Sequence, residues 1–204
     1  MKIEKIIEPY FGENIYLLID TDTNKCAVID PGGMADRILS YIKSNNLELE
    51  YIILTHGHGD HIGAVNELKD RADVKVVAHS DEKELLSDNK KNLSYSMHCG
   101  PQQIEIDIYV NDKEKLQMGS LKLSFIHTPG HTPGGMCIRV NDDMFTGDTL
   151  FAGSIGRTDL YGGDYNQLNK SLKKLAKYED KVAIHPGHGP SSTLGREKQM
   201  NPYM

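Results

Sequence analysis

Thr55-His56-Gly57-His58-Gly59-Asp60-His61 packs three imidazoles and a carboxylate into six consecutive positions, His56 to His61. These side chains bind zinc and related cations at neutral pH. The preceding run Tyr51-Ile52-Ile53-Leu54 reads as a short buried strand, and Ile62, Ala64, Val65 and Leu68 carry helical spacing. The four candidate ligands therefore fall on a strand-to-helix loop, where alternating extended residues aim His56, His58 and Asp60 to one side. Gly57 and Gly59 remove bulk between them and permit unusual backbone angles. The plain alternative is an exposed His-rich loop that binds nothing.

Three later segments repeat the layout of a short strand, a Gly-containing turn and a metal-competent side chain. Thr128-Pro129-Gly130-His131 follows the alternating Leu121, Leu123 and Phe125. Phe145-Thr146-Gly147-Asp148 ends a second apolar run, and His185-Pro186-Gly187-His188 follows Val182-Ala183-Ile184. Each alone is readable as a helix cap or a solvated turn. Four of them in 204 residues are not.

The chain resembles the metallo-β-lactamase superfamily, whose pattern is His-x-His-x-Asp-His, a further His, a bridging Asp and a final His. His56, His58, Asp60, His61, His131, Asp148 and His188 match it in order, and Val28-Ile29-Asp30-Pro31-Gly32-Gly33 matches an early Asp-containing turn. The resemblance runs from about Asn14 to His188. It implies an α+β fold, a four-layer αββα sandwich of two face-to-face sheets with helices outside. It also implies a binuclear centre: one metal on His56, His58 and His131, the other on Asp60, His61 and His188, with Asp148 bridging. Zinc is the preferred ion for such donors, with iron or manganese also suitable. Two cations ~3.5–4 Å apart generate a bridging hydroxide at neutral pH and polarise a carbonyl. Asp60 is the catalytic candidate, placed to receive the nucleophile's proton. Asp30 is the candidate to orient the imidazoles from behind, although a turn-forming Asp explains the same residue type.

Leu150-Phe151-Ala152-Gly153-Ser154-Ile155-Gly156-Arg157-Thr158-Asp159 narrows the resemblance to glyoxalase II-like hydrolases, which cleave S-hydroxyacyl glutathione thioesters such as S-lactoylglutathione. Asn201-Pro202 looks like the short members of that group. Full-length glyoxalase II continues into a helical domain that binds glutathione, whereas only 16 residues follow His188 here. The expectation is one metallo-β-lactamase-like domain over 1–204 without that addition, acting on a small-molecule thioester. A rival reading is the mononuclear-iron persulfide dioxygenase branch, which shares a Gly-Arg-Thr-Asp segment. A second rival is a metal-binding scaffold without catalysis. Arg157 either pairs with Asp159 to brace the metal loop or contacts an anionic substrate.

Composition narrows the class. Hydrophobic content of 38% and charged content of 25% suit a soluble chain, and a net charge of −6 argues against a nucleic-acid partner. No apolar run approaches the ~20 residues that span a bilayer, and the amino-terminus lacks a signal-peptide core. The expectation is therefore a cytoplasmic monomer or small homo-oligomer with no membrane partner. Cys26 and Cys137 read as core residues and Cys99 as a surface thiol. His79, His98, His127 and His185 fall outside the motif.

Elsewhere, strands are expected at 15–20 and 26–30 as a hairpin, then a helix carrying Ala35, Ile38, Leu39 and Ile42. Further strands are expected at 51–54, 74–77, 104–110, 121–126, 136–140, 143–146 and 182–184, with a helix carrying Leu168, Leu172, Leu175 and Ala176. Residues 88–103 fit no element well.

Overall fold

The computed structural model describes residues 1–204. The chain opens with three antiparallel strands, β1 (Lys2–Ile7), β2 (Asn14–Ile19) and β3 (Lys25–Ile29). Helix α1 (Ala35–Ser44) then leads to β4 (Glu48–Ile53), which lies parallel to β3. The short α2 (Gly59–Ile62) and α3 (Val65–Arg71) lead to β5 (Lys75–His79), and α4 (Lys83–Leu86) precedes β6 (Ile108–Val110). These six strands pair in sequence order to make the first sheet.

The second sheet starts with β7 (Lys115–Met118), β8 (Leu121–His127), β9 (Met136–Val140) and β10 (Asp143–Gly147), all antiparallel. A small hairpin, β11 (Leu150–Phe151) and β12 (Ser154–Ile155), follows. Helix α5 (Tyr165–Leu175) crosses over to β13 (Ala183–Pro186), parallel to β10, and β14 (Ser192–Thr193) and α6 (Leu194–Met200) end the fold. The sheet order is β14-β13-β10-β9-β8-β7.

The layers follow from residue alternation. In β2, Leu17 packs with Ile38, Ile52 and Leu68 beneath α1 and α3, while its neighbour Leu18 packs with Phe125, Ile138 and Phe145 between the sheets. A period of two sends successive side chains to opposite faces, so a strand buried on both faces reads as continuously apolar. On the far side Leu168, Leu172 and Leu175 of α5 pack on Ile126, Cys137 and Ile184. Each such fully buried side chain contributes about 1.5–3 kcal/mol relative to exposure. Helix α5 is started by Asp164, whose side chain accepts from the Asn166 and Gln167 main chain. The result is the four-layer αββα sandwich of the metallo-β-lactamase type, with the hairpin 14–29 as expected.

Several element boundaries differ from expectation. Residues 104–107 do not extend β6: Ile104 and Ile106 are buried, but Ile104 N–H donates to Leu86 O and the Asp107 carboxylate accepts from Val76 N–H. The helix after the His-rich loop breaks between α2 and α3 because the Pro31-Gly32 main chain passes there. Ala64 N–H donates to Pro31 O, and a Cβ on Gly63 would come within 2.3 Å of Gly32 O. The edge strands β1, β7 and β14, the β11–β12 hairpin and α6 were not anticipated. Cys26 and Cys137 are buried, and Cys99 is a half-buried free thiol whose Sγ lies 3.8 Å from Gly59 O.

Candidate metal centre

The site is assembled from strand ends at one edge of the sandwich. His56 and His58 follow β4, Asp60 and His61 lie in α2, His131 follows β8, Asp148 follows β10 and His188 follows β13. The four loops that carry these residues come from both sheets. All seven converge, in two groups. Candidate ligand atoms of His56, His58 and His131 lie within 4.8 Å of one another, and so do those of Asp60, His61 and His188. Asp148 stands between the groups, its Oδ2 3.7 Å from His131 Nε2 and 3.8 Å from His188 Nε2, its Oδ1 3.5 Å from His61 Nε2.

Gly57 and Gly59 serve space rather than unusual angles, since neither has a positive φ. A Cβ on Gly57 would meet Leu86 at 2.9 Å, and one on Gly59 would meet Met97 Sδ at 2.6 Å. Residues 88–103 thus press against the metal loop, with Gly59 N–H donating to Asn92 O at 2.7 Å. They form a wall of the site, built of turns and a 3-10 turn at Ser94–Ser96.

Three of the four buried imidazoles of the site are held from outside through Nδ1. His61 Nδ1 pairs with Asp30 Oδ2 at 3.0 Å, His131 Nδ1 with Arg157 O at 2.8 Å, and His56 Nδ1 with Thr55 Oγ1 at 3.2 Å. Such outer partners fix ring orientation and tautomer in metal sites. The opposite nitrogens, Nε2 of His56 and of His61, are buried without any hydrogen-bond partner, as is Asp148 Oδ1. His58 Nδ1 and His131 Nε2 approach to 2.9 Å. Buried polar atoms without partners cost about 1–3 kcal/mol each and are rare in folded chains. Several of them facing one another form a donor set that fits divalent cations.

Electrostatics agree with that fit. Burial lowers the pKa of His56, His58 and His131, His58 to about 3, and their mutual proximity adds to the effect for His56 and His58. All three present neutral lone pairs at pH 7. His61 goes the other way: burial opposes its charge, but Asp148, Asp60 and Asp30 raise its pKa well above the usual histidine value. Asp60 is held below the ordinary carboxylate range, against its burial, by His61 and His188.

Arg157 and Asp159 form an exposed bidentate pair, 2.7 Å at both contacts. The pairing alternative therefore describes the side chain, and the contact to the site comes from the Arg157 main-chain oxygen. Asn201 lies buried and donates to Phe151 O and Ser154 O, stitching α6 to the hairpin that follows Asp148. The remaining histidines stand apart. His185 Nε2 pairs with Asp143, and His98 lies against Tyr10 with ring centroids 4.0 Å apart and the planes tilted by 36°. His79 and His127 gather near Asp81, but their rings stack at 3.9 Å and 13°, so their in-plane lone pairs do not converge on one ion.

Three acids escaped the sequence reading. Glu82 is fully buried and its pKa is pushed up to about 7 by that burial. Glu13 is buried with both carboxylate oxygens unpartnered, and burial raises its pKa well above normal. Glu8 is buried and accepts from the Tyr10 and Phe11 main chain. None stands in a motif; only the fold buries them. No helix is long and apolar enough to cross a membrane.

Comparison with known proteins places this geometry. The model of the metallo-beta-lactamase superfamily matches residues 9–188. The hydroxyacylglutathione hydrolase GloC of Haemophilus influenzae is 36% identical, covering 100% of this chain and 98% of that protein. The crystal structure of BLEG-1 B3 metallo-beta-lactamase superposes with a TM-score of 0.92 at 34% identity, covering 99% of each chain. The di-iron-bound form of TTHA1623 superposes with a TM-score of 0.87 at 30% identity, covering 98% of this chain and 100% of that one. The chain belongs to the metallo-beta-lactamase superfamily.

Proposed function

We propose that this protein hydrolyses thioesters of the hydroxyacyl-glutathione type, with S-lactoylglutathione as the model substrate, at a centre of two divalent cations. The observation that carries the reading is the convergence of two three-residue groups on a shared Asp148, with imidazole nitrogens left unpartnered inside. His56, His58 and His131 would hold one cation, Asp60, His61 and His188 the other, and Asp148 both. The full-length similarity to a hydroxyacylglutathione hydrolase supports the substrate class. Zinc is the preferred ion; the di-iron-bound relative supports iron as an alternative.

Bound there, the cations would supply hydroxide at neutral pH and polarise the thioester carbonyl. The chain's own residues set up the rest. Burial keeps His56, His58 and His131 neutral, so their lone pairs are free for a cation. The carboxylates that favour a proton on His61 favour a cation at the same nitrogen. Asp60, ionised and beside His188 Nε2 at 3.3 Å, can take the proton lost by the attacking water. The departing thiolate needs no protein acid, because a thiol is already acidic enough to leave. Residues 88–103, with the exposed Tyr10 and Phe11 beside His98, offer the thiol portion a surface at the Asp60 side of the site.

The test is a pair of assays on one metal-loaded preparation: release of glutathione from S-lactoylglutathione, and persulfide-dependent oxygen uptake. Hydrolysis without oxygen uptake supports the thioesterase. Oxygen uptake without hydrolysis refutes it in favour of the dioxygenase reading, and neither activity favours the scaffold.

A further inference from the structure

Glu82 is the buried acid that the proposed chemistry leaves unused. It ends a 3-10 turn, Ser80–Glu82, directly after β5, and is 1% exposed. Its two carboxylate oxygens are divided between two loops. Oε1 accepts the Gly57 N–H at 2.8 Å, and Oε2 accepts the Gly134 N–H at 2.6 Å. Gly57 lies between His56 and His58 on the loop from the first sheet. Gly134 lies three residues past His131 on the loop from the second sheet. One side chain therefore bonds the main chain of both loops that carry the first histidine group.

The approach is too close for other residues to substitute. A Cβ on Gly134 would meet Glu82 N at 2.4 Å and its Oε2 at 2.6 Å, and Leu86, one turn further on, closes against Gly57. A second link between the loops, Met136 N–H to Thr55 O at 2.9 Å, lies at their strand-end bases and fixes them at one point only. Two points are needed to fix the angle between the loops as well as their separation. Main-chain N–H groups bonded to the two oxygens of one planar carboxyl group hold both loops at short, fixed distances, which suits a clamp.

We propose that Glu82 is a positioning residue: it clamps the loop of His56 and His58 to the loop of His131, and so sets the affinity of that histidine group for its cation. The inference rests on the two-metal reading above. Gln has the same shape but a single acceptor, so in Glu82→Gln one N–H faces an NH2 group. The loops then part or rotate, and an ion that needs all three imidazoles within a few tenths of an ångström is held less well.

Zinc competition against a chromophoric chelator tests this on the full chain after metal stripping. The substitution is placed in two single-centre backgrounds, His188→Ala, which spares the first group, and His131→Ala, which spares the second. Glu82→Gln should weaken zinc ~10–100-fold in the first background and less than ~3-fold in the second, the range expected for outer partners of a metal site. Glu82→Asp keeps the two-oxygen carboxyl group but is one methylene short of bridging both loops, and should fall between. The melting temperature of each stripped protein reports folding without activity or metal. Equal weakening in both backgrounds, no weakening in either, or stripped Gln and Asp variants that do not fold all overturn the proposal. A wild type that takes up a single zinc refutes the two-metal reading instead; the role of Glu82 then stands or falls on whether Glu82→Gln weakens that one ion.

Discussion

Asp30 Oδ2 lies 3.0 Å from His61 Nδ1, and the same carboxylate accepts from the Thr55 N–H and hydroxyl. Both side chains are buried, and Asp30 adopts a positive φ of 50° to reach them. A buried carboxylate so placed fixes the His61 proton on Nδ1 and turns Nε2 toward Asp60 and Asp148. Asp30→Asn should therefore lower metal affinity by ~10–100-fold while the stripped protein still folds, the range found for such outer partners. Chelator competition on the stripped variant measures it, and unchanged affinity contradicts the role.

Asp148 and Arg157 separate direct from indirect contributions. Removing Asp148 takes away the only group that reaches His61, His131 and His188 at once. Asp148→Ala should lower kcat/KM by more than ~100-fold, above the upper end of what loss of an outer partner produces, together with metal content. Arg157→Ala removes an exposed ion pair but leaves the main-chain oxygen on His131, so its effect should stay below ~10-fold. Both variants are read by metal content and hydrolysis on folded protein. Equal effects would contradict the assignment.

The contrast between these residues also marks what was legible from sequence. Ligand-type side chains set in Gly turns after apolar runs can be read locally, so the seven candidate ligands stand out in the sequence alone. The apolar continuity of Ile15 to Ile19 and the helical spacing of Leu168, Leu172 and Leu175 were equally legible, because burial leaves a period in the chain. Glu82, Glu13 and Glu8 were not, since an acid is assigned to a surface unless the fold that buries it is known. Residues 88–103 were opaque for a related reason: Asn92 and Ser94 are buried through contacts with Gly59, far away in sequence. The stacking of the two sheets came from resemblance, not from periodicity.

His79 carries a pH prediction away from the metal. Burial, and then the stacked His127, lower its pKa to about 4, against a weaker opposing pull from Asp81. A group whose folded pKa is depressed below 6.5 stabilises the fold fully above about pH 6.5, and that contribution is lost as pH falls toward 4. On metal-stripped protein, wild type should therefore lose about 1–2 kcal/mol more than His79→Asn between pH 7.5 and pH 4.5, after allowance for solvent screening. Asn retains an acceptor for the Asp81 N–H that His79 Nδ1 now receives. Denaturant melts at the two pH values give the difference, and parallel losses in the two proteins would contradict it.

Substrate preference follows from the wall formed by residues 88–103. This surface presents turns and isolated side chains, so the glutathione portion should be held weakly, appearing mainly as a raised KM. A smaller thiol ester of lactate should then be hydrolysed with kcat/KM within ~100-fold of S-lactoylglutathione. A larger gap in favour of glutathione would mean more than about 2.7 kcal/mol of specific recognition, and the weak-binding account would be wrong.

The central claim is a binuclear centre, and anomalous diffraction from metal-loaded crystals tests it most directly. The expected result is two ions sharing Asp148, one within ~2.0–2.2 Å of nitrogens of His56, His58 and His131, the other within the same range of Asp60, His61 and His188. A fully occupied crystal with a single ion, and His188 more than ~4 Å from any metal, contradicts it.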